Sequence, residues 1–322
     1  MRAARLTSPR KFDFVEVDTP SPKEGEVLVK VERASICGSD LRIYDRVLPE
    51  EAYPVDVGRP CHECAGTVVD SRSDLFHPGQ RVIVFPASSG GLVEYIAEPA
   101  SRLVALPDEG DLSTLLMCQP VGTVMYACQR IGSVLGQRVV ILGQGAIGLS
   151  FTNLISKLGA SQVIVTDLLD YRLDLAKQLG ATHTINAAKE DVAATVAEIT
   201  SGQGADVVIE ACGRPDTTNQ IWQVLRTEGL VILFGLAHDE DSFTFNFDNM
   251  TAKLPTIVVV NSARGGTMAA AVKQCVDLVN QGRLDLSYLV THRMGMDGVQ
   301  QAYDLYSQKT DGIIKAVMSI GT

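Results

Sequence analysis

QRVVILGQGAIG, Gln137 to Gly148, decides the fold. Its first half is a continuous apolar run and its second a glycine-punctuated turn. AIGLSFTNLISKLGA (146–160), which overlaps and follows it, carries apolar residues at helical spacing. A buried strand that ends in glycines and opens a helix starts a strand-helix-strand unit. The rhythm continues outward. QVIVTD (162–167) is followed by YRLDLAKQLGA (171–181), and DVVIEACG (206–213), LVILFG (230–235) and TIVVVN (256–261) supply further buried-strand runs. Near-continuous Val/Ile/Leu strands alternating with amphipathic helices predict an α/β fold, built on a doubly wound parallel sheet covered on both faces.

Within GQGAIG, Gly143 permits the tight turn, Gly145 lets the backbone approach a pyrophosphate, and Gly148 allows close packing of helix on strand. Together with Ala146 and Ile147 they form the candidate cofactor-binding turn, where the helix N-terminus offers N–H groups and a positive dipole end to phosphates. About 20 residues on, Asp167 closes the second strand. A carboxylate there accepts both adenosine ribose hydroxyls and repels a 2′-phosphate, so NAD is expected rather than NADP. Plain turn glycines and a solvated Asp are the alternative, and the register of strand, turn, helix and acid weighs against it. Arg172, five residues further, either covers the adenine or caps a surface helix.

A chain of 322 residues accommodates two domains, each with its own core. Its net charge of −10, with no Lys/Arg block, argues against a nucleic-acid partner. No apolar run reaches the roughly 18 to 20 residues that span a bilayer. The start, MRAARLTSPRKFDF, has no apolar segment behind its arginines, so a cytoplasmic location is expected. Seven scattered cysteines, at 37, 61, 64, 118, 128, 212 and 275, favour free thiols or metal ligands over a disulfide framework. Upstream of Gln137 the texture differs: EVLVKVER (26–33), QRVIVFPA (80–87) and LVEYIAE (92–98) are short strands separated by Pro and Gly, the mark of a small irregular β domain. After Asn261, helical segments at 268–280 and 297–307 lead to a last strand, GIIKAVMSI (312–320).

Two stretches of the β region carry candidate metal ligands. ASICGSDLRIY (34–44) holds Cys37, and RPCHECAG (59–66) holds His62 and Glu63 inside a C-x-x-C pair. Thiolate, imidazole and carboxylate are the ligand types of a catalytic Zn²⁺, which takes three protein ligands and keeps one position open. A redox dithiol fits poorly, since such pairs sit at a helix N-terminus after a strand. A zinc ribbon lacks its second C-x-x-C.

Through ICGSD, PCHECAG, PGQRV (78–82), GQGAIG, Asp167 and the closing IIKAVM, the sequence resembles the zinc-containing medium-chain dehydrogenases, the family of alcohol, sorbitol and threonine dehydrogenases, over essentially its whole length. The resemblance implies a GroES-like catalytic β domain over 1–120, a Rossmann NAD-binding domain over 121–261, and a C-terminal segment, 262–322, that returns to the catalytic domain. It also implies one catalytic Zn²⁺ per chain held by Cys37, His62 and Glu63. Cys61 stands where relatives carry Gly, and Cys64 is a small buried filler. Asp40 orients His62, Ser39 relays a proton to the cofactor ribose, Lys315 meets the pyrophosphate unless it is merely solvated, and Arg264 lines the cofactor cleft.

Three departures from the family pattern stand out. Gln119-Pro120 replaces a Glu-Pro near the metal, so Gln119 either ligates it or orients water. Arg42 stands where the proton relay often ends in His; a guanidinium is no base, and an anionic substrate group is its alternative partner. VFPASSGGLVEY (84–95) runs through the place of the four-cysteine structural zinc lobe. The expected reaction is reversible hydride transfer between NAD and a secondary alcohol, polyol or sugar carbon. A zinc-free quinone or enoyl reductase, or a non-catalytic cofactor-binding protein, is the rival reading. A small-molecule substrate and a homodimer or homotetramer are the expected partners, with no nucleic acid and no membrane. His77, His183, His238 and His292 lack ligand partners at short spacing, and Trp222 reads as helix packing.

Overall fold

The structure, a computed structural model, describes residues 1–236, 242–261 and 268–321. The chain forms two compact units, Met1–Gly122 with Met268–Thr322, and Thr123–Thr267.

The first unit opens on an antiparallel hairpin, β1 (Arg2–Ser8) and β2 (Lys11–Glu16). β3 (Glu26–Ser35) runs to the short helix α1 (Leu41–Tyr44), and β4 (Glu63–Ser71), β5 (Arg81–Val84), β6 (Tyr95–Pro99) and β7 (Leu103–Ala105) follow. α2 (Leu112–Leu116) starts at Asp111, whose carboxylate accepts from the Ser113 and Thr114 backbone N–H groups, a side-chain cap for otherwise unpaired donors. It leads into α3 (Cys118–Ile131).

The second unit alternates strand and helix as its sequence predicts. β8 (Arg138–Leu142), α4 (Ala146–Lys157), β9 (Gln162–Asp167), α5 (Asp170–Gln178), β10 (His183–Asn186) and α6 (Val192–Ile199) make its first half. β11 (Ala205–Glu210), α7 (Pro215–Val224), β12 (Leu225–Leu233), α8 (Phe247–Lys253) and β13 (Thr256–Val259) make its second. All strand pairs are parallel, in the order β10-β9-β8-β11-β12-β13. The two halves therefore wind outward from the neighbours β8 and β11, the doubly wound arrangement whose switch point receives dinucleotides. Val139, Val140, Ile141 and Leu142 are all buried. Successive strand side chains point to opposite faces, so four buried in a row means both faces are covered. Gly143 sits at φ +90°, and a Cβ on Gly148 would strike the Gly143 carbonyl oxygen, so this turn accepts only glycine at both ends.

The chain then returns to the first unit through α9 (Met268–Asn280), β14 (Val290–Gly295), α10 (Val299–Gln308) and β15 (Lys315–Ser319). β15 lies between β14 and β3, which completes a sheet in the order β14-β15-β3-β4-β5-β7, with β6 also paired to β3. Phe12, Tyr44 and Tyr303 cluster behind it, with ring centroids 4.9 to 5.7 Å apart, and the Tyr303 hydroxyl donates to the Pro60 carbonyl.

The two units divide at Gly122/Thr123 and Thr267/Met268 rather than at residues 120/121 and 261/262. The first division falls inside α3, a continuous helix whose Pro120 sits in the first turn, where a missing N–H breaks no helical hydrogen bond. A Cβ on Gly122 would meet the Val272 backbone, so α3 and α9 approach closely at that point. Among the described residues no helix is long and apolar enough to cross a membrane.

One ion-pair group ties together the starts of three adjacent interior strands of the parallel sheet, β8, β11 and β12. Asp206 accepts from Arg138 Nε at 3.0 Å and its backbone N–H at 2.8 Å, and from Arg226 Nε at 2.7 Å. Burial alone would raise its pKa, but the two guanidiniums outweigh burial and hold the carboxyl well below its usual range. Asp206→Asn should cost about 1 kcal/mol after solvent screening. In the wild type this contribution is complete above the unfolded carboxylate value of about 3.9 and fades as pH falls through the depressed folded value. Urea unfolding of both proteins at neutral and acidic pH measures it; the gap between them should close in acid.

Candidate metal centre

Three strands of the first unit meet at one corner. β3 and β4 pair antiparallel with Ser35 opposite Glu63, and β15 pairs with β3 with Val317 opposite Ser35. The residues just past these ends are the ones singled out in the sequence. Cys37 follows β3, His62 precedes β4, and Glu63 opens it.

Cys37 caps a tight turn, Gly38–Asp40, in which the Cys37 backbone N–H donates to Asp40 Oδ2 at 2.9 Å. The other oxygen of that buried carboxylate, Oδ1, lies 2.8 Å from His62 Nδ1. One side chain therefore fixes the backbone of one candidate ligand and the ring of another. With Nδ1 committed, His62 presents Nε2. Burial alone would lower the His62 pKa, but the charges and hydrogen bonds of Asp40 and Cys37 raise it well above its ordinary value, so a cation taking this site displaces a proton.

Cys37, His62 and Glu63 each offer one ligand atom, and these atoms lie within 4.8 Å of one another. Soft thiolate, borderline imidazole and hard carboxylate suit a borderline divalent ion such as Zn²⁺. Gln119, the second residue of α3, is 4% exposed, and its Oε1 has no hydrogen-bond partner. A buried acceptor left unpaired calls for a water or an ion. The donor set therefore fits a resident metal. Ser39 lies in the tight turn between Cys37 and Asp40, and Arg42 on α1, both partly buried.

One expectation is overturned. Lys315, expected to meet a pyrophosphate, is 1% exposed, and its ammonium donates to both Glu63 oxygens at 2.6 Å and to the Ile36 carbonyl at 2.8 Å. An ammonium has three hydrogens, so none is left for a phosphate. Burial alone would lower its pKa; the Glu63 charge outweighs burial and raises it, so Lys315 remains a cation. The sequence did carry a signal: a lone Lys inside the apolar run GIIKAVMSI is a buried charge in need of a partner. Residue type and spacing mark Glu63 as a metal ligand and say nothing of this second role.

The remaining cysteines of the pair are packing residues. Cys61 and Cys64 are both buried, and contact with Cys64 together with burial pushes the Cys61 thiol up, which keeps it inert.

In the second unit, Gly143 and Gly148 bracket the turn, Gly145 caps α4, Ala146 is buried and Ile147 partly buried. A Cβ at Gly145 would meet nothing nearer than Arg172 Nη1 at 3.9 Å, so the space a phosphate needs is open. Asp167 ends β9, where its carboxylate accepts from the backbone N–H groups of Gln144 at 2.7 Å, Leu168 at 2.8 Å and Leu169 at 3.1 Å. It organises the glycine turn, a function that sequence spacing does not reveal. Arg172 Nη1 stands 3.6 Å from Asp167 Oδ2, which makes it a partner of that acid rather than a surface cap. Glu210, at the end of β11, carries no signal in the sequence. It is 2% exposed and accepts from the Cys212 and Gly213 N–H groups and the Thr217 hydroxyl, tying down the segment whose Cys212 thiol abuts Gly143.

Among the described residues His77, His183 and His292 join no metal-ligating group, and Trp222 packs edge-on against Phe245 at 5.4 Å. His238 and Arg264 lie outside the described residues.

Two family models match the chain. Residues 23–108 match the alcohol dehydrogenase GroES-like domain and residues 146–281 the zinc-binding dehydrogenase domain. A zinc-type alcohol dehydrogenase-like protein of Escherichia coli (strain K12), itself uncharacterized, is 31% identical over 98% of this chain and 98% of its own length. An L-threonine 3-dehydrogenase of Pyrococcus horikoshii is 31% identical over 91% of each chain. Among solved structures, an oxidoreductase/dehydrogenase of unknown specificity from Escherichia coli, involved in membrane biogenesis, is similar at 31% identity with a TM-score of 0.88, covering 100% of this chain and 99% of that one.

Because Asp40 touches the candidate ligands without being one, Asp40→Ala should weaken zinc retention by about 10- to 100-fold. Competition with a colorimetric chelator measures this. Retention within about twofold of wild type would remove Asp40 from the site.

Proposed function

This chain belongs to the zinc-binding dehydrogenases with a GroES-like N-terminal domain, and from that premise we propose that it oxidises a secondary alcohol or polyol carbon to a ketone, reversibly, with NAD⁺. The observation that carries the proposal is the Cys37, His62 and Glu63 cluster with Asp40 on the far side of the imidazole. These three side chains would hold Zn²⁺, with Gln119 as the neighbouring neutral oxygen. When bound, the metal polarises the substrate oxygen and NAD⁺ takes the hydride.

The protein's own groups do the rest. Asp40 keeps His62 in one tautomer and one orientation. Ser39, two residues from Cys37, carries the hydroxyl that passes the substrate proton towards the cofactor ribose. Arg42 is too basic to accept that proton and instead binds an anionic group of the substrate. Asp167 disfavours a 2′-phosphate through like charge, which supports NAD over NADP. The Gly143 to Gly148 turn and the N-terminus of α4 receive the pyrophosphate.

For assembly we propose a homodimer or homotetramer through the second unit's sheet. β13 is its last strand, and Val259 is 68% exposed beside half-exposed Ile257, an unpaired apolar edge that a second copy would cover. For location we propose the cytoplasm, which suits seven cysteines that form no disulfide among the described residues.

Elemental analysis of unchelated protein should find about one zinc per chain, lost in Cys37→Ser, and only the metal-bearing protein should form NADH from a panel of polyols and secondary alcohols. Absence of zinc even after anaerobic reconstitution would sink the proposal. Arg42→Ala should raise KM for the preferred substrate about tenfold or more while leaving that for NAD⁺ within about twofold. Equal effects on both would count against an anion-binding role.

A further inference from the structure

Lys315 is the one charged group at the centre that this mechanism leaves unused. Its three hydrogens are committed to Glu63 and to Ile36, the residues that adjoin His62 and Cys37 in the chain, and both members of the ion pair are shut away from water. Resting on the metal-centre reading above, we propose that Lys315 is a positioning residue that takes up the charge of Glu63, leaving Cys37 as the one uncompensated anion that the metal meets.

The charges make the argument. A divalent ion facing a thiolate and a free carboxylate becomes formally neutral, whereas one facing a thiolate and an ammonium-carboxylate pair keeps a net positive charge. Polarising an alcohol oxygen depends on that residual charge, and in a water-excluded corner each unit of it is felt strongly. The same ammonium holds the Ile36 carbonyl, so Glu63 is kept turned towards β15 at a fixed distance from the Cys37 backbone. The corollary is weaker metal binding than the ligand set alone would give. Removing the ammonium while keeping the carboxylate should therefore tighten binding, whereas a residue that merely neutralises a buried acid would leave binding unchanged or, by disordering the site, weaken it.

Cobalt(II) is the probe, since its visible bands report coordination and its affinity is read by chelator competition without any turnover. Lys315→Met should bind Co²⁺ about tenfold or more tighter than wild type, with shifted visible bands, and Lys315→Arg should stay near wild type. If Lys315→Met does not fold, the double variant Lys315→Met/Glu63→Gln, which replaces both charges with neutral side chains, decides the matter; it should bind Co²⁺ within about tenfold of wild type. Unchanged or weaker binding by folded Lys315→Met, or a loss beyond about a hundredfold in the double variant, would overturn the inference alone. Failure of the wild-type chain to bind Co²⁺ at all would overturn the metal-centre reading, and this inference with it.

Discussion

The ion pair between Lys315 and Glu63 spans 252 residues of sequence and closes the first unit. Removing one partner of such a buried pair costs about 3 to 5 kcal/mol, since the other charge is left without compensation. Glu63 cannot be accommodated in its final place until β15 arrives beside β3, and β15 emerges only after the whole parallel sheet has been synthesised. The corner where Cys37, His62 and Glu63 meet is thus completed by the last strand of the chain. Long-range closure of this kind slows folding and lets the inserted unit form first.

A second constraint operates in the parallel sheet. The glycine turn after β8 is held from below by the Asp167 carboxylate through the Gln144 N–H, and from the side by Cys212, whose own segment hangs on Glu210. Two acids at the ends of the strands that flank β8 thus shape a turn whose one long side chain, Gln144, is itself buried and accepts from the Thr152 hydroxyl. Glu210 is 2% exposed and the Asp167 side chain 8%, so both carboxylates are committed to ordering the backbone around them.

How much of this was legible in the sequence follows from the range of the interactions. The strand-turn-helix at Gln137 to Gly148 was readable because its causes are local: glycines where no Cβ fits and four consecutive apolar residues in a strand covered on both faces. Cys37, His62 and Glu63 were readable as candidates because their residue types are chemically distinctive and their spacing is short. The partner of Lys315 was not, since nothing near GIIKAVMSI names Glu63, and only the antiparallel pairing of β15 with β3 brings the two together. Nor did spacing reveal that Arg172 leans on Asp167 or that the division between units falls inside α3, because both depend on packing rather than on any residue preference.

The close approach of α3 and α9 at Gly122 and Val272 has an evolutionary consequence. The parallel-sheet unit leaves its host just after the first of these residues and comes back just before the second, so both points of departure lie beside one contact within the host. A module grafted onto a host at a single point leaves the host's hydrogen-bonded sheet uncut. Such an arrangement would let the inserted module be remodelled without disturbing the host's sheet, while any side chain at Gly122 would push α3 away from α9.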